Sequence, residues 1–426
     1  MSVRRSLIAA VLVLAVPAMV GAEGAEDLDP LLRLLVDKGV LTLEEAFALE
    51  VEAAARADQP AAAPAPPPPA AAAVPARWYD RLKVAGDVRL RYEGFSQDGA
   101  FDDDRRDRFR LRLRAGIEAA VSDALRLGFA VRSGEPDDPV SNNISFDDAF
   151  QAKPVNLAEV YLELRLSRRA ELVAGKLDPK ERWTVSDLQW DDDVTVEGVM
   201  AKLLLGSGDA LLGGLELVPY AFILEESGSG RDAYVFGGQA RADLAVGADQ
   251  EFAVGAGFDL WDHPQAVVDQ TLSGRLGGNA VTNLLDGDRQ LVSDFEILNL
   301  FAEWRHRGAG RWPVTVNLFY YKNLGARGAA ADQDTGHFGR VQVGESKTLG
   351  QVAFRYSFYR SEPDALFYVF TQSDTARSSD VEAHRLDLRV GLVARSYVNL
   401  TWYHSRPALA EDEPLDRWQV DYIVRF

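Results

Sequence analysis

Between Asp107 and Val121 the chain reads DRFRLRLRAGIEAAV, a two-residue alternation that runs without a break. Phe109, Leu111, Leu113, Ala115, Ile117, Ala119 and Val121 fall on one face of an extended strand, and Arg108, Arg110, Arg112, Arg114 and Glu118 fall on the other. Soluble strands spend about 5 to 6 residues in a sheet, whereas an oblique membrane crossing takes about 9 to 11. The length therefore favours a crossing strand. An arginine turned toward lipid at mid-bilayer costs roughly 2 to 4 kcal/mol, so the guanidinium face must line water. Backbone amides in hydrocarbon need partners on both edges, which only a closed sheet provides. The alternative is a periplasmic β-sandwich whose arginine face meets solvent.

Composition narrows the classes further. At 426 residues, 47% hydrophobic and 26% charged, the chain is too long for one small domain and too polar for a bundle of membrane helices. Its one long apolar run, Leu7 to Val20, follows Arg4 and Arg5 and ends in small residues, so residues 1–22 read as a signal peptide cleaved after Ala22. With no cysteine anywhere, the chain is neither a lipoprotein nor a disulfide-stapled domain. Loss of Arg4 and Arg5 takes the net charge from −19 to −21, which argues against nucleic acid as a partner. Acidity of this kind suits loops that face a divalent-rich lipopolysaccharide surface, and outer-membrane lipid is the expected surrounding.

Residues 23–57 read as a helical hairpin on the periplasmic side. Asp29-Pro30 is a capped start, Lys38-Gly39 a stop, and Thr42 with Glu45 a capping box that opens a second helix reaching about Arg56. So short a unit buries no self-sufficient core, so Leu31, Leu34, Leu35, Val40, Leu41 and Phe47 require a partner surface or belong to a loosely ordered tether. Neighbouring copies, the underside of a barrel and peptidoglycan are the surfaces to weigh. Residues 58–77 are a Pro/Ala-rich linker, extended at about 3 Å per residue.

From Trp78 to Phe426 strands follow one another, joined alternately by short and long connections. Short ones fall near Ser122-Asp123, Ser167 to Arg169, Gly206 to Leu212, Gly247 to Asp249, Gly308 to Arg311, Ser361 to Asp364 and Arg395-Ser396. Longer ones fall near Gln97 to Arg106, Gly134 to Pro154, Asp178 to Asp193, Glu225 to Arg231, Asp262 to Ser293, Asn323 to Glu345, Ser373 to Asp380 and Ser405 to Leu415. The expectation is an all-β, closed, antiparallel up-and-down barrel of about 16 strands with both termini on the short-turn side. The last strand alternates Trp418, Val420, Tyr422, Val424 and Phe426 with Arg417, Gln419, Asp421 and Arg425. Ending on Phe426 resembles the signal by which the barrel assembly machinery recognises its clients. Trp78, Tyr79, Trp304, Trp312 and Trp402 suit interfacial girdles.

A barrel of this size encloses an aqueous channel unless something narrows it. The third long loop, DPKERWTVSDLQWDDD, carries Asp187, Trp190, Asp191, Asp192 and Asp193 and is the candidate. Its alternative is a solvated surface loop; three consecutive aspartates lack the spacing of a calcium loop. Several stretches here resemble a family of bacterial putative porins: the signal peptide, LLRLLVDKGVLTLEEA, the linker, Gly175-Lys176 with Pro179, and Trp190, Asp191 and Asp193 followed by Glu197-Gly198. The resemblance implies a homotrimer whose third loop folds inward against a basic wall. Arg89, Arg91, Arg108, Arg110, Arg112, Arg114 and Arg126 would form that wall. Across about 10 Å of water each facing charge is worth about 0.4 kcal/mol, roughly a factor of two in local ion concentration.

Five scattered histidines, His263, His306, His337, His384 and His404, sit in no metal-ligand or nucleophile spacing, so neither an enzyme nor a metal or cofactor is expected. The expected function is passive diffusion of small hydrophilic solutes and ions through an outer-membrane porin. A tether between outer membrane and cell wall, and a substrate-specific channel, are the alternatives.

Overall fold

The computed structural model describes residues 28–57, 78–98, 105–147, 149–206, 212–228, 230–308, 310, 312–375, 377–393, 395–410 and 414–426. The proposed signal peptide, the linker and the tip of the first long loop, residues 99–104, lie outside them. The chain divides into two compact units, Met1–Ala76 and Arg77–Phe426.

In the first unit, α1 (Pro30–Asp37) starts at Asp29, whose carboxylate accepts from Leu31 N at 2.9 Å. It stops where Gly39 turns to a φ of +69°. Before α2 (Leu43–Ala57), Glu45 N donates to the Thr42 hydroxyl at 3.3 Å and Thr42 N donates to the Glu45 carboxylate at 2.8 Å, a closed capping box. Those bonds from Thr42 hold the exposed Glu45 carboxyl below its ordinary range. Leu28 and Ala46 are buried while Leu31, Leu34, Val40 and Val51 are exposed, so most of the hairpin's apolar surface has no partner among the described residues of the unit.

Among the described residues, the second unit has sixteen long strands and one of two residues. They are β1 (Leu82–Ser96), β2 (Arg105–Ala120), β3 (Leu125–Ser133), the two-residue β4 (Ile144–Ser145), β5 (Val155–Ser167) and β6 (Ala170–Leu177). There follow β7 (Val196–Leu205), β8 (Leu212–Glu225), β9 (Ala233–Gly247), β10 (Gln250–Asp262), β11 (Phe295–His306) and β12 (Val314–Asn323). The chain closes with β13 (Thr335–Gly344), β14 (Val352–Ser361), β15 (Val381–Gly391), β16 (Ser396–Arg406) and β17 (Leu415–Arg425). Each long strand pairs antiparallel with its neighbours in sequence, and β4 only lengthens the β2 ladder. β1 pairs with β17 from Asp87↔Arg425 to Ser96↔Asp416, which shuts the barrel. At that closure Phe426 N donates to Gly86 O at 3.0 Å, and a Cβ on Gly86 would lie 2.4 Å from the Phe426 ring, so only glycine admits the terminal aromatic.

The faces are inverted relative to a soluble protein. Leu90 is 51% exposed, Phe109 59% and Trp418 58%, while Glu93 is 0% and Arg417 4% exposed. Apolar side chains point outward along the middle of the strands and charged ones point into the barrel, as a lipid surround requires.

Two connections depart from expectation. The stretch Asn323 to Glu345, read as one long loop, contains β13. Its glycines, Gly336 and Gly339, interrupt the side-chain alternation that marks the other strands. Conversely, the expected short turn at Ser361 to Asp364 followed by a strand is one loop, residues 362–380. Ala365, Leu366, Phe367, Tyr368 and Val369 are all buried there, consecutive rather than alternate, because the loop lies inside the barrel with protein on every side. The two departures cancel in the strand count. A helix within the 263–294 connection, α3 (Gln265–Leu272), had no clear signal.

The inversion predicts that Leu90→Arg, on the outer face mid-strand, destabilises the barrel by about 2–4 kcal/mol. Urea-dependent folding into lipid vesicles measures the loss; an unchanged midpoint would mean that this face does not meet lipid.

Candidate functional site: the barrel lumen

The inner faces of β17, β1 and β2 carry a lattice of ion pairs. Arg91 donates from Nε and Nη2 to the two oxygens of Asp421, at 2.6 and 2.9 Å. One step along, Arg417 reaches Glu93 at 2.7 Å, and Arg108 and Arg110 share the other Glu93 oxygen. Below them Asp87 holds both Arg112 and Arg114, each at 2.7 Å. Registers Arg91↔Asp421, Asp87↔Arg114 and Glu93↔Arg108 place these groups opposite one another as soon as the strands pair. A guanidinium removed from water is tolerable only with such partners.

Three long loops fold inward from the long-loop rim. Residues 178–195 track the inner wall across several strands. Trp183 stacks on Tyr220 of β8 at 4.5 Å, and the amide of Gln239 on β9 bonds the Thr184 backbone at 2.7 and 3.0 Å. Ser186 bonds Tyr321 of β12 at 2.6 Å, and Asp187 pairs with Arg340 of β13. Trp190 is 1% exposed, stacked on Trp261 at 6.0 Å and on Phe370 at 5.4 Å. Residues 362–380 join this loop through Asp191 N to Phe370 O at 2.7 Å and Ser373 N to the Asp191 carboxylate at 2.8 Å. Asp374 then crosses to the seam, 2.7 Å from Arg417 and 3.5 Å from Arg91. Residues 263–294 clasp the same loop: Asn279 donates to the carbonyls of Tyr368 and Thr371, both at 2.9 Å, and Asn283 to Pro363 O at 2.6 Å.

This alters the role of the predicted acidic residues. Rather than facing the wall across about 10 Å of water, Asp193 approaches Arg112 and Arg114 at 3.8 and 3.9 Å and accepts twice from Asn142 at 2.9 Å. Asp187, Asp191 and Asp193 are pinned, and of the four only Asp192 is exposed. Trp190 is an anchor in an aromatic core, not a lining group. On the predicted wall, Arg126 stands apart at the short-turn end, paired with Glu163 at 2.9 Å, and among the described residues Arg89 bonds only the neutral Asn143 amide. Arg132, Arg340, Arg355, Arg385, Arg389 and Arg417 also face inward. Alternation could have found Arg355, between Phe354 and Tyr356, and Arg389, between Leu388 and Val390; Arg340 follows Gly339, and Arg132, Arg385 and Arg417 each have a polar neighbour on one side. Nothing local could have found Asp374.

Beneath the loops lies a cavity of about 490 Å³. Arg114, Arg132 and Arg425 line it together with the acidic Asp87, Glu159, Asp178, Glu181 and Asp192. Pockets of this size accommodate small solutes.

Barrel, inward loops and charged lumen together define a closed β-barrel of the porin type. The fold is that of Pseudomonas putida OprB, with 11% identity, a TM-score of 0.53 and coverage of 82% of this chain and 95% of that one. Salmonella typhi OmpF, solved in complex with daunomycin, gives 8% identity, a TM-score of 0.50 and coverage of 81% and 97%. The resemblance in sequence is to the putative porin family, whose profile matches residues 99–284. No curated protein matches the chain.

The loop carboxylates carry the pH dependence of the bridge. Burial opposes ionisation of Asp374, but Arg417 and Arg91 outweigh it and hold the group well below the carboxylate range; Arg340 does the same for Asp187, and Arg112 with Arg114 for Asp193. Depressed values add stability above the unfolded pKa of about 3.9 that disappears as pH falls through the folded values. Asp191, raised by burial and by Asp193, Asp192, raised by Asp187, and Asp364, raised by burial, act in the opposite sense and favour the docked loops in acid. Because Asp374, Asp187 and Asp193 are the groups that meet arginines of the barrel wall directly, the bridge should stay docked from neutrality to about pH 4 and release below it. Tryptophan emission of the purified barrel reports the release, and Asp374→Asn should shift its onset upward in pH; an onset unmoved by that change would remove Asp374 from the bridge.

Proposed function

We propose that the protein is a passive diffusion channel for small hydrophilic solutes and ions, narrowed by its inward loops. The observation that carries this reading is the inverted barrel, with ion pairs and a charged cavity inside and a continuous apolar face outside. The filter is the cavity under the loops, whose lining Asp192, Glu159 and Glu181 share with Arg114, Arg132 and Arg425. Charges opposed in this way orient dipolar solutes without binding them tightly. Asp187, Asp191 and Asp193 serve the filter indirectly, by fixing the loop that carries Asp192.

On the same reading residues 1–22 are the signal peptide, 23–57 a periplasmic hairpin, 58–77 the linker and 78–426 the pore, assembled as a homotrimer among outer-membrane lipid and lipopolysaccharide after recognition of Phe426. The exposed Leu31, Leu34, Val40 and Val51 support a second role for the hairpin, pairing with other copies or contacting peptidoglycan.

Planar-bilayer recordings test both parts. Asp192→Asn should change the potassium-to-chloride permeability ratio by roughly a factor of two toward chloride, the worth of one charge across about 10 Å of water. An unaltered ratio would take Asp192 out of the conduction path. Deleting Glu23 to Ala76 should leave single-channel conductance intact; a loss of conduction by a correctly folded barrel would contradict the division of labour.

A further inference from the structure

Counter-ions are shared unevenly inside the barrel. Arg91, Arg108, Arg110, Arg112, Arg114 and Arg417 each have a carboxylate oxygen within 4.0 Å. Among the described residues, Arg355 of β14, Arg389 of β15 and Arg425 of β17 have none within that distance. All three occupy inward positions, alternating with outward Phe354, Leu388 and Tyr422.

Neutral contacts gather two of them around one ring. The Arg389 guanidinium carbon lies 4.6 Å from the centre of Tyr397 on β16, and that of Arg425 lies 5.2 Å from the same centre. Arg425 Nη2 donates to the Tyr397 hydroxyl at 3.1 Å. Arg389 Nε is buried and has no hydrogen-bond partner. Arg355 gives Nε and Nη2 to a single neutral acceptor, the Gln342 amide oxygen, at 3.1 and 2.9 Å. Register Ala353↔Arg389 and Arg355↔Asp387 makes Arg355 and Arg389 diagonal neighbours on the inner face. An aromatic ring attracts each cation but neutralises neither. Two guanidiniums on one ring, with a buried N–H left over, are arranged for an acceptor bearing at least two oxygens and negative charge.

We propose that Arg389, Arg425 and Tyr397, flanked by Arg355, form a subsite that transiently holds the oxyanion group, phosphate or carboxylate, of a solute crossing the lumen. The inference rests on the diffusion-channel reading and adds a preferred class of cargo, small anions. Arg91, Arg108, Arg110, Arg112, Arg114 and Arg417 cannot provide this site, since each already faces a carboxylate.

Purified full-length protein in planar bilayers with potassium chloride tests it, using sodium phosphate and sodium malonate as separate probes. Saturable reduction of the chloride current by phosphate, malonate or both is the expected result, and the more effective probe identifies the group. The double variant R389Q/R425Q should raise the half-blocking concentration about tenfold, the scale of one charge-assisted contact. R389K/R425K, which keeps charge but loses the planar fork, should fall between. Arg305→Gln, on β11 and already paired with Glu251, should leave block unchanged. Wild-type protein that conducts chloride normally yet shows no saturable block by either probe overturns the subsite whatever the variants do. Undiminished block in folded R389Q/R425Q overturns it as well. Absence of any conductance in wild type instead sinks the diffusion reading.

Discussion

Guanidinium against carboxylate across neighbouring strands is the interaction on which the lumen depends. Lipid outside the barrel leaves the charged residues of β1, β2 and β17 nowhere to point but inward, and crowding them inside makes compensation obligatory. Asp87, Glu93 and Asp421 supply it from within the sheet, each one opposite an arginine once the strands close. The same register that shuts the sheet at Asp87↔Arg425 also balances charge along its seam.

The loops extend that logic across the barrel. Asp374 and Asp193 reach the seam from two different loops, while Trp183, Trp190 and Phe370 bury themselves in an aromatic core against the wall of β8 to β14. The lumen is therefore two-sided. One half is an apolar packing surface that fixes the loops, and the other is a charged surface that a solute can meet. A loop held by aromatics at one end and ion pairs at the other has little freedom, which turns a mobile connection into part of the wall. Where carboxylates run short, near Tyr397, the inner surface keeps unbalanced positive charge.

How far the sequence was legible follows from the range of each signal. Alternation in Asp107 to Val121 assigned an inward face to Arg110, Arg112 and Arg114, and the capping residues Asp29, Thr42 and Glu45 marked the helices, because each pattern is complete within a few residues. Residues 335–344 escaped notice because Gly336 and Gly339 carry no side chain to alternate. Leu366 to Val369 imitated a strand because a loop buried on all sides is as apolar as one. The run Asp191 to Asp193 advertised negative charge but not its fate: one carboxylate bonds Ser373, one stands exposed and one meets Asn142 and the arginines.

By itself the sequence determined the outward side of the strands whose alternation is unbroken, the closure that such strands require, and the even number with both ends at the short-turn rim. These are consequences of a two-residue period and of the cost of charge in hydrocarbon, both local properties. Tertiary structure alone decided which loops enter the lumen, which charges are neutralised and which are left over. Those outcomes depend on partners hundreds of residues away, such as Arg91 with Asp421 or Asp187 with Arg340, brought together only when the sheet closes on itself.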